Sequence, residues 1–273
     1  MSAEGLAAGY AECERIVQEG DPDRAVSVGF AVPERRKHLF ALYAFHLETL
    51  RVRDLVSQPL PGEIRLQWWR DRIDSSGDVE EAAQGSPVAM ALIDTIRAFD
   101  LPVDAFERYL EARVFDLYND PMPSRIEFEA YAGETASALI MFAAMVLDRS
   151  QASGVADACG HAGVAQTAVA ALRAAPLHRS RHQVYLPGDL LVATGVEATA
   201  WLNGGEGAER AQAAMAAFAL DHLERVERNW ARIPRVLRPA FLPARLGRKL
   251  LAKDASEPAP LSRLWLYWRW MRA

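Results

Sequence analysis

Cysteine is nearly absent: Cys13 and Cys159 are the only two in 273 residues, and they form neither a Cys-x-x-Cys pair nor the spacing of a zinc finger. A disulfide framework and a metal cluster are therefore excluded as organising devices, and both residues read as packing thiols in a reducing compartment. No run of about 18 uninterrupted apolar residues occurs, and the longest weakly polar region, 136–147, is too short to cross a bilayer as a helix. Strand signals are missing as well, since no segment alternates apolar and polar residues between turns, and there is no internal repeat. The first two dozen residues are acidic, with neither the apolar core of a secretory signal nor the Arg-rich, acid-poor makeup of a mitochondrial presequence. The expectation is a cytoplasmic protein, and its Ala- and Arg-rich usage fits a bacterial one. A net charge of −5 leaves no electrostatic footprint for nucleic acid.

What is present is helical. With 51% hydrophobic and 25% charged residues the chain is globular. Residues 3–18 predict a first helix stopped at Gly20, with Asp21-Pro22-Asp23 as a turn. Pro33 opens a long amphipathic helix with Leu39, Leu42, Tyr43, Leu47 and Leu50 at intervals of three and four. Further helices are expected around Trp68 and Trp69, over 87–99, over 103–117, from a Ser124-x-x-Glu127 capping box to 147, over 155–174, over 206–233 and over 261–271. The whole reads as one all-α domain, 1–273, of about ten helices.

The stretch 164–187, VAQTAVAALRAAPLHRSRHQVYLP, carries the most information. Its Ala- and Val-rich helix lets neighbouring backbones approach closely, which suits a central position. Pro176 is expected to end that helix and to start a basic loop bearing His178, Arg179, Arg181 and His182. No acidic residue lies between Arg173 and Tyr185, so the loop is an anion-attracting mouth beside an apolar wall. His178 and His182 stand four apart, as two zinc ligands on a helix would, but they follow a proline and lack an acidic third ligand, which favours capping or loop hydrogen bonds. The remaining histidines, His38, His46, His161 and His222, are isolated and read as structural or exposed.

Arg173, a short loop and Tyr185-Leu186-Pro187 resemble the second signature of the squalene/phytoene synthases, and 39–45, LFALYAF, matches the helix bearing their first signature. The resemblance runs from about Pro33 to the C-terminus. It implies an isoprenoid (terpenoid) synthase helical bundle with a central cavity. In that family, carboxylates four apart lie on one helix face, about 6 Å along the axis, and share magnesium ions that neutralise a prenyl diphosphate. Here Leu50, Arg51 and Asp54 stand at the first set. Ala170 replaces the Asn, Ala174 the first Asp, and Leu177 and His178 the Glu-Asp pair of the second. The frame is kept and the metal ligands are largely lost.

A narrower likeness is carried by ETLRVRDLVS, EIRLQWWRD and LRAAPLHRSRHQVYLPGDLL. These resemble a degenerate branch represented by the mitochondrial complex I assembly factor of the phytoene-synthase type, which shares Leu-Arg-Ala-x-Pro-x-His-x-Ser-Arg at 172–181. That resemblance implies a pseudoenzyme without cofactor that supports assembly of a respiratory NADH dehydrogenase. It would act by binding a membrane-complex subunit, a lipid or a prenyl diphosphate, with peripheral contact to a bacterial inner membrane. The alternative is an active prenyltransferase joining two prenyl diphosphates head to head, and only that reading calls for magnesium. A hydrophobic-ligand carrier is a third class.

Candidate binding residues for an anion or prenyl ligand are Tyr43, Arg51, Asp54, Arg173, His178, Arg181 and Tyr185. The arginines can either bind an anion or pair with acidic neighbours. An Asp54–Arg173 pair standing where magnesium sits in the family would be an internal electrostatic latch. The Trp- and Arg-rich end, LSRLWLYWRWMRA, suits either a membrane interface or a closing helix with its arginines outward, and the second reading is preferred.

Overall fold

The computed structural model describes residues 3–252 and 258–273, and among them there is no strand. The first half comprises α1 (Ala3–Gly20), α2 (Pro22–Val28), α3 (Pro33–Leu50), α4 (Val52–Leu55), α5 (Pro59–Ile73), α6 (Val79–Ala83), α7 (Pro87–Phe99) and α8 (Val103–Val114). The second begins with α9 (Arg125–Ala132) and α10 (Ala138–Ala152), joined without a break by a π-helical turn, Gly133–Ser137. Then come α11 (Ala156–Arg173), α12 (Ala175–Ser180), α13 (Gly188–Ala193), α14 (Ala198–Asn203), α15 (Glu206–Arg228), α16 (Arg238–Leu250) and α17 (Pro260–Arg272). Among the described residues there are seventeen α-helices rather than about ten, because several are single turns set off by proline or by short caps, below the length at which periodicity can be read.

Local chemistry explains most boundaries. Asp21, expected in a plain turn, caps α2 by accepting the Arg24 N–H at 2.9 Å, with Pro22 in the first turn. Ser124 caps α9 through the Ile126 N–H at 3.2 Å, although the Glu127 carboxylate meets the Ser124 hydroxyl instead of closing the reciprocal bond. Pro176 corrects the sequence reading: it does not open a loop but sits in the first turn of α12, where its missing N–H costs nothing. His182 then ends the segment with φ of 56°. Pro243 lies inside α16, where the burial of Phe241, Leu242 and Leu246 holds the helix across the lost hydrogen bond.

Two helices are central. α3 was expected to be amphipathic, yet every residue from His38 to Leu47 is buried, so it is enclosed on all sides. α11 packs against α9, the π-turn, α10, α15 and α16, as its small side chains anticipated. Two apolar cores result, one around α1, α3, α7, α8 and α10, the other around α9, α11, α13 and α15. The helical run Arg125–Arg173 is long and apolar enough to cross a membrane by length and composition, but most of its apolar window is buried in the bundle, as in a core helix. Cys13 and Cys159 are buried thiols that burial pushes up to about 12, which makes both inert.

The closest approach in the bundle is between α11 and the π-turn. A Cβ placed on Gly163 would stand 2.3 Å from the Ser137 amide nitrogen and 2.5 Å from its Cα. The Ser137 hydroxyl donates to the Gly160 carbonyl at 3.1 Å across the same contact. Gly163→Ala is therefore expected to force the two backbones apart and cost about 1–3 kcal/mol in urea denaturation. Gly160→Ala, inside the same helix but with nothing within 4 Å of the added carbon, serves as the control and should stabilise by up to about 1 kcal/mol.

Candidate functional site

Between the two cores lies a cavity of about 580 Å³, inside the roughly 300–1,000 Å³ range of small-molecule sites. One wall is the face of α3 and α4 that carries His46, Leu47, Leu50, Arg53 and Asp54. The facing wall is α11 and α12, which present Gln166, Val169, Ala170, Arg173, Ala174, Leu177, His178 and Arg181. Both series run at helical spacing through the helix junctions, so one continuous stripe of each pair faces inward. The cavity exists because α11 lines it with alanine and valine where bulkier residues would fill it.

Of the seven candidate residues, Asp54, Arg173, His178, Arg181 and Tyr185 line this cavity. Tyr43 is buried behind the wall, with the Arg24 guanidinium 5.5 Å from its ring centre, and burial pushes its phenol up to about 12. Arg51 lines a separate outer groove with Leu55, Ile64 and Trp68. The ion pair at Asp54 is made by Arg181, at 2.7 Å, rather than by Arg173. The Asp54 side chain is 50% exposed, so this pair is a rim contact and not an internal latch.

The deep polar feature lies elsewhere, in residues the sequence reading passed over. Arg113 of α8 is buried and bridges to Asp116 at 3.0 Å. The Tyr131 and Tyr185 hydroxyls donate to Asp116 Oδ1 at 2.8 and 3.1 Å, and Arg113 also donates to the Tyr131 hydroxyl at 2.8 Å. Above them the His46 Nδ1 lies 2.8 Å from the Tyr109 hydroxyl and 3.4 Å from Arg113 Nη2. Because a guanidinium only donates, that ring nitrogen is the acceptor and Tyr109 donates to it. The His178 ring packs on Tyr185 at 4.4 Å between centroids. Burial, reinforced by Arg24 and Arg113, holds the His46 imidazole well below its ordinary value, and burial with Arg181 lowers His178, so both are neutral at pH 7. A signal for Arg113 and Asp116 was available, since they fall at three-residue spacing on the apolar face of Phe106, Leu110 and Leu117.

The opposite side of the cavity is closed by α2 and α17. Arg24 pairs with Asp21 and reaches Gln166 Oε1 at 3.0 Å, and Arg263 pairs with Asp23. Every aspartate that lines the cavity among the described residues, Asp21, Asp23, Asp54 and Asp116, is thus met by an arginine. Arg53 and Gln183 also line the cavity, but the Arg53 Nε and Gln183 Nε2 atoms are buried out of reach of solvent and meet no acceptor among the described residues. The pairing His161 Nδ1–His222 Nδ1, at 3.0 Å on α11 and α15, lies apart from this cavity and was not legible in the sequence.

The family model for squalene/phytoene synthases matches residues 17–272. The chain belongs to that family. Over 206 residues it is 31% identical to NADH dehydrogenase (ubiquinone) complex I, assembly factor 6 of Rattus norvegicus, covering 74% of this chain and 60% of that protein. The chain thus spans about three fifths of the length of that relative. It is 24% identical over 208 residues to phytoene synthase 3, chloroplastic, of Zea mays, covering 73% of this chain and 47% of that protein. Among solved structures, a dehydrosqualene synthase superposes with a TM-score of 0.78 at 17% identity, over 98% of this chain and 97% of that one. The fold is therefore the isoprenoid synthase helical bundle expected from the resemblance.

Family membership implies magnesium, and the residues here do not fit it. Leu50, Ala170, Ala174, Leu177 and His178 do face the cavity from the two walls. They offer no carboxylate, and the aspartates nearby are held by guanidinium groups. Among the described residues no group of three or more His, Cys, Asp or Glu converges.

Two predictions follow from burial. Asp116→Asn leaves the buried Arg113 charge without its counterion and is expected to cost about 3–5 kcal/mol, whereas Asp54→Asn at the rim should cost at most about 1 kcal/mol, both read from urea denaturation. The second concerns pH. His46 is neutral in the fold but takes up a proton near pH 6.5 when unfolded, so the unfolded state binds more protons in acid. Its contribution is fully present above that pH and is lost as pH falls, by up to about 1.4 kcal/mol per unit. The melting temperature should drop from pH 7 to pH 5, and His46→Asn should flatten the slope.

Proposed function

We propose that this chain is a catalytically degenerate squalene/phytoene synthase that supports assembly of a respiratory NADH dehydrogenase. In this reading it works without magnesium, at the cytoplasmic face of a bacterial inner membrane, and its partner is a subunit of that complex. Its cavity holds an anionic amphiphile, a phospholipid or a prenyl diphosphate. The observation that carries the reading is the replacement, on both facing walls, of magnesium-binding carboxylates by alanine, leucine and histidine, together with arginine pairing of the cavity aspartates. A carboxylate already bonded to a guanidinium is a poor metal ligand, and arginine gives bidentate contact to phosphate without bridging two substrate oxygens as a metal does. Similarity to complex I assembly factors gives the partner class.

The test is calorimetric titration of the purified protein with a nonhydrolysable farnesyl diphosphate analogue, with and without magnesium, beside a product assay on prenyl diphosphates. Binding that ignores magnesium, with no product, is expected. Magnesium-dependent binding with product overturns the degenerate reading and restores the prenyltransferase. No binding of the analogue or of a phospholipid removes the cavity from the function. Ala170, which faces the cavity from α11, supplies the control: Ala170→Phe should abolish binding while leaving the helical circular dichroism unchanged.

A further inference from the structure

The sequence favoured a closing helix with its arginines outward, and α17 does close the bundle with Arg269 and Arg272 outward, but Arg263 is turned inward. Its inward side is complete: Arg263, Leu266, Tyr267 and Trp270 are buried. Arg263 pairs with Asp23, and the Trp230 indole donates to the Trp270 carbonyl at 3.0 Å. Yet the outward side is also apolar. Leu261, Leu264, Trp265 and Trp268 are 80%, 48%, 54% and 46% exposed. At roughly 100° per residue they fall within an arc of about 100°, a single stripe running the length of the helix. Most solvent-facing helices do not present four large apolar residues in a row to water, and such a stripe marks an interaction surface.

The charges around the stripe say what it meets. Arg269 lies over the Trp265 ring at 4.9 Å and Arg272 over Trp268 at 4.2 Å, so each exposed indole carries a cation on its flank. Residues 229–273 hold ten arginines and lysines against two acidic residues, Asp254 and Glu257, in a chain whose net charge is −5. Exposed Arg232 and Arg235 belong to the segment against which the C-terminal end of α17 docks, where Arg238 donates to the Met271 carbonyl at 3.0 Å. An apolar stripe edged by cations, on a segment whose charged side chains among the described residues are basic and not acidic, is complementary to an anionic membrane surface. There indoles sit at headgroup depth and arginines bond phosphates.

We propose that the outer face of α17 docks the protein on anionic lipid. The helix lies flat on the bilayer with Leu261, Leu264, Trp265 and Trp268 in the headgroup boundary and Arg269 and Arg272 on phosphates. Its opposite side carries Arg263 into the cavity wall, so docking sets the cavity one helix diameter, about 10–12 Å, from the lipid surface. This surface stands on α17 alone: its failure would leave the reading of the cavity untouched, and the reverse holds as well.

The experiment is co-sedimentation of the full chain with phosphatidylcholine vesicles and with vesicles of phosphatidylcholine mixed with phosphatidylglycerol. Binding to the mixed vesicles, weakened by added salt and absent from the neutral ones, is expected. Trp265→Ser with Trp268→Ser should weaken it by about tenfold or more, because two-signal anchoring needs the apolar half. Arg269→Glu with Arg272→Glu should remove the preference for anionic lipid. Since these side chains face outward, each variant should keep the parent circular dichroism, and Leu261→Ser gives an independent check at the most exposed position. Equal binding of parent and tryptophan variant, or no sedimentation with either vesicle, overturns the proposal. So does a concentration-dependent dimer that the tryptophan variant abolishes, which would assign the stripe to a second copy of the chain.

Discussion

A guanidinium taken out of water must find negative charge and hydrogen-bond acceptors or the fold that buries it fails. Arg113 sets that condition for this protein. Its partners come from separate parts of the chain: Asp116 just beyond α8, Tyr131 on α9, and His46 on α3, with Tyr185 completing the shell of Asp116 from the segment after α12. Closing this one network therefore fixes the mutual positions of α3, α8, α9 and the Tyr185-Leu186-Pro187 turn. Those are the elements that enclose the cavity. The site and the fold are held by the same bonds.

This arrangement also changes what the cavity can do. In a magnesium enzyme the carboxylates are left available for metal, and the metal meets the diphosphate. Here aspartates remain in the wall, but each is bonded to an arginine, so the negative charge is spent within the protein. Beside these pairs the wall carries Val169, Ala170 and Ala171 of α11.

The helical frame was legible because its signals are local. Pro33, Pro87 and Ser124 mark starts, and small residues on α11 mark close packing, as the Gly163 contact bears out. The cavity-facing stripe was legible through Asp54, Arg173, His178, Arg181 and Tyr185, since motif spacing preserves phase along a helix. Pairing was not, because it depends on which helices meet. Arg181 reaches Asp54 only since α12 is a helix and not a loop, and Arg263 reaches Asp23 from the far end of the chain. Tyr43 belongs to the part of α3 that is buried on all sides, so even a correct phase could not say which face looks into the cavity, and Arg51 falls just past the end of that helix, where it turns outward.

The π-turn at Gly133–Ser137 has a consequence for how this chain can vary. Below it, Phe128 and Ala132 belong to one core; above it, Leu139 and Phe142 belong to the other. A straight α-helix would keep a single phase through that stretch, whereas the wider turn offsets the two halves and lets one rod serve both cores. The cavity lies at the seam, with Thr135 and Ala136 in its wall. Insertions and deletions are absorbed by loops elsewhere in the chain, but here the loss of one residue would turn half of the rod away from its core. The length of this stretch should therefore be inherited more strictly than its side chains.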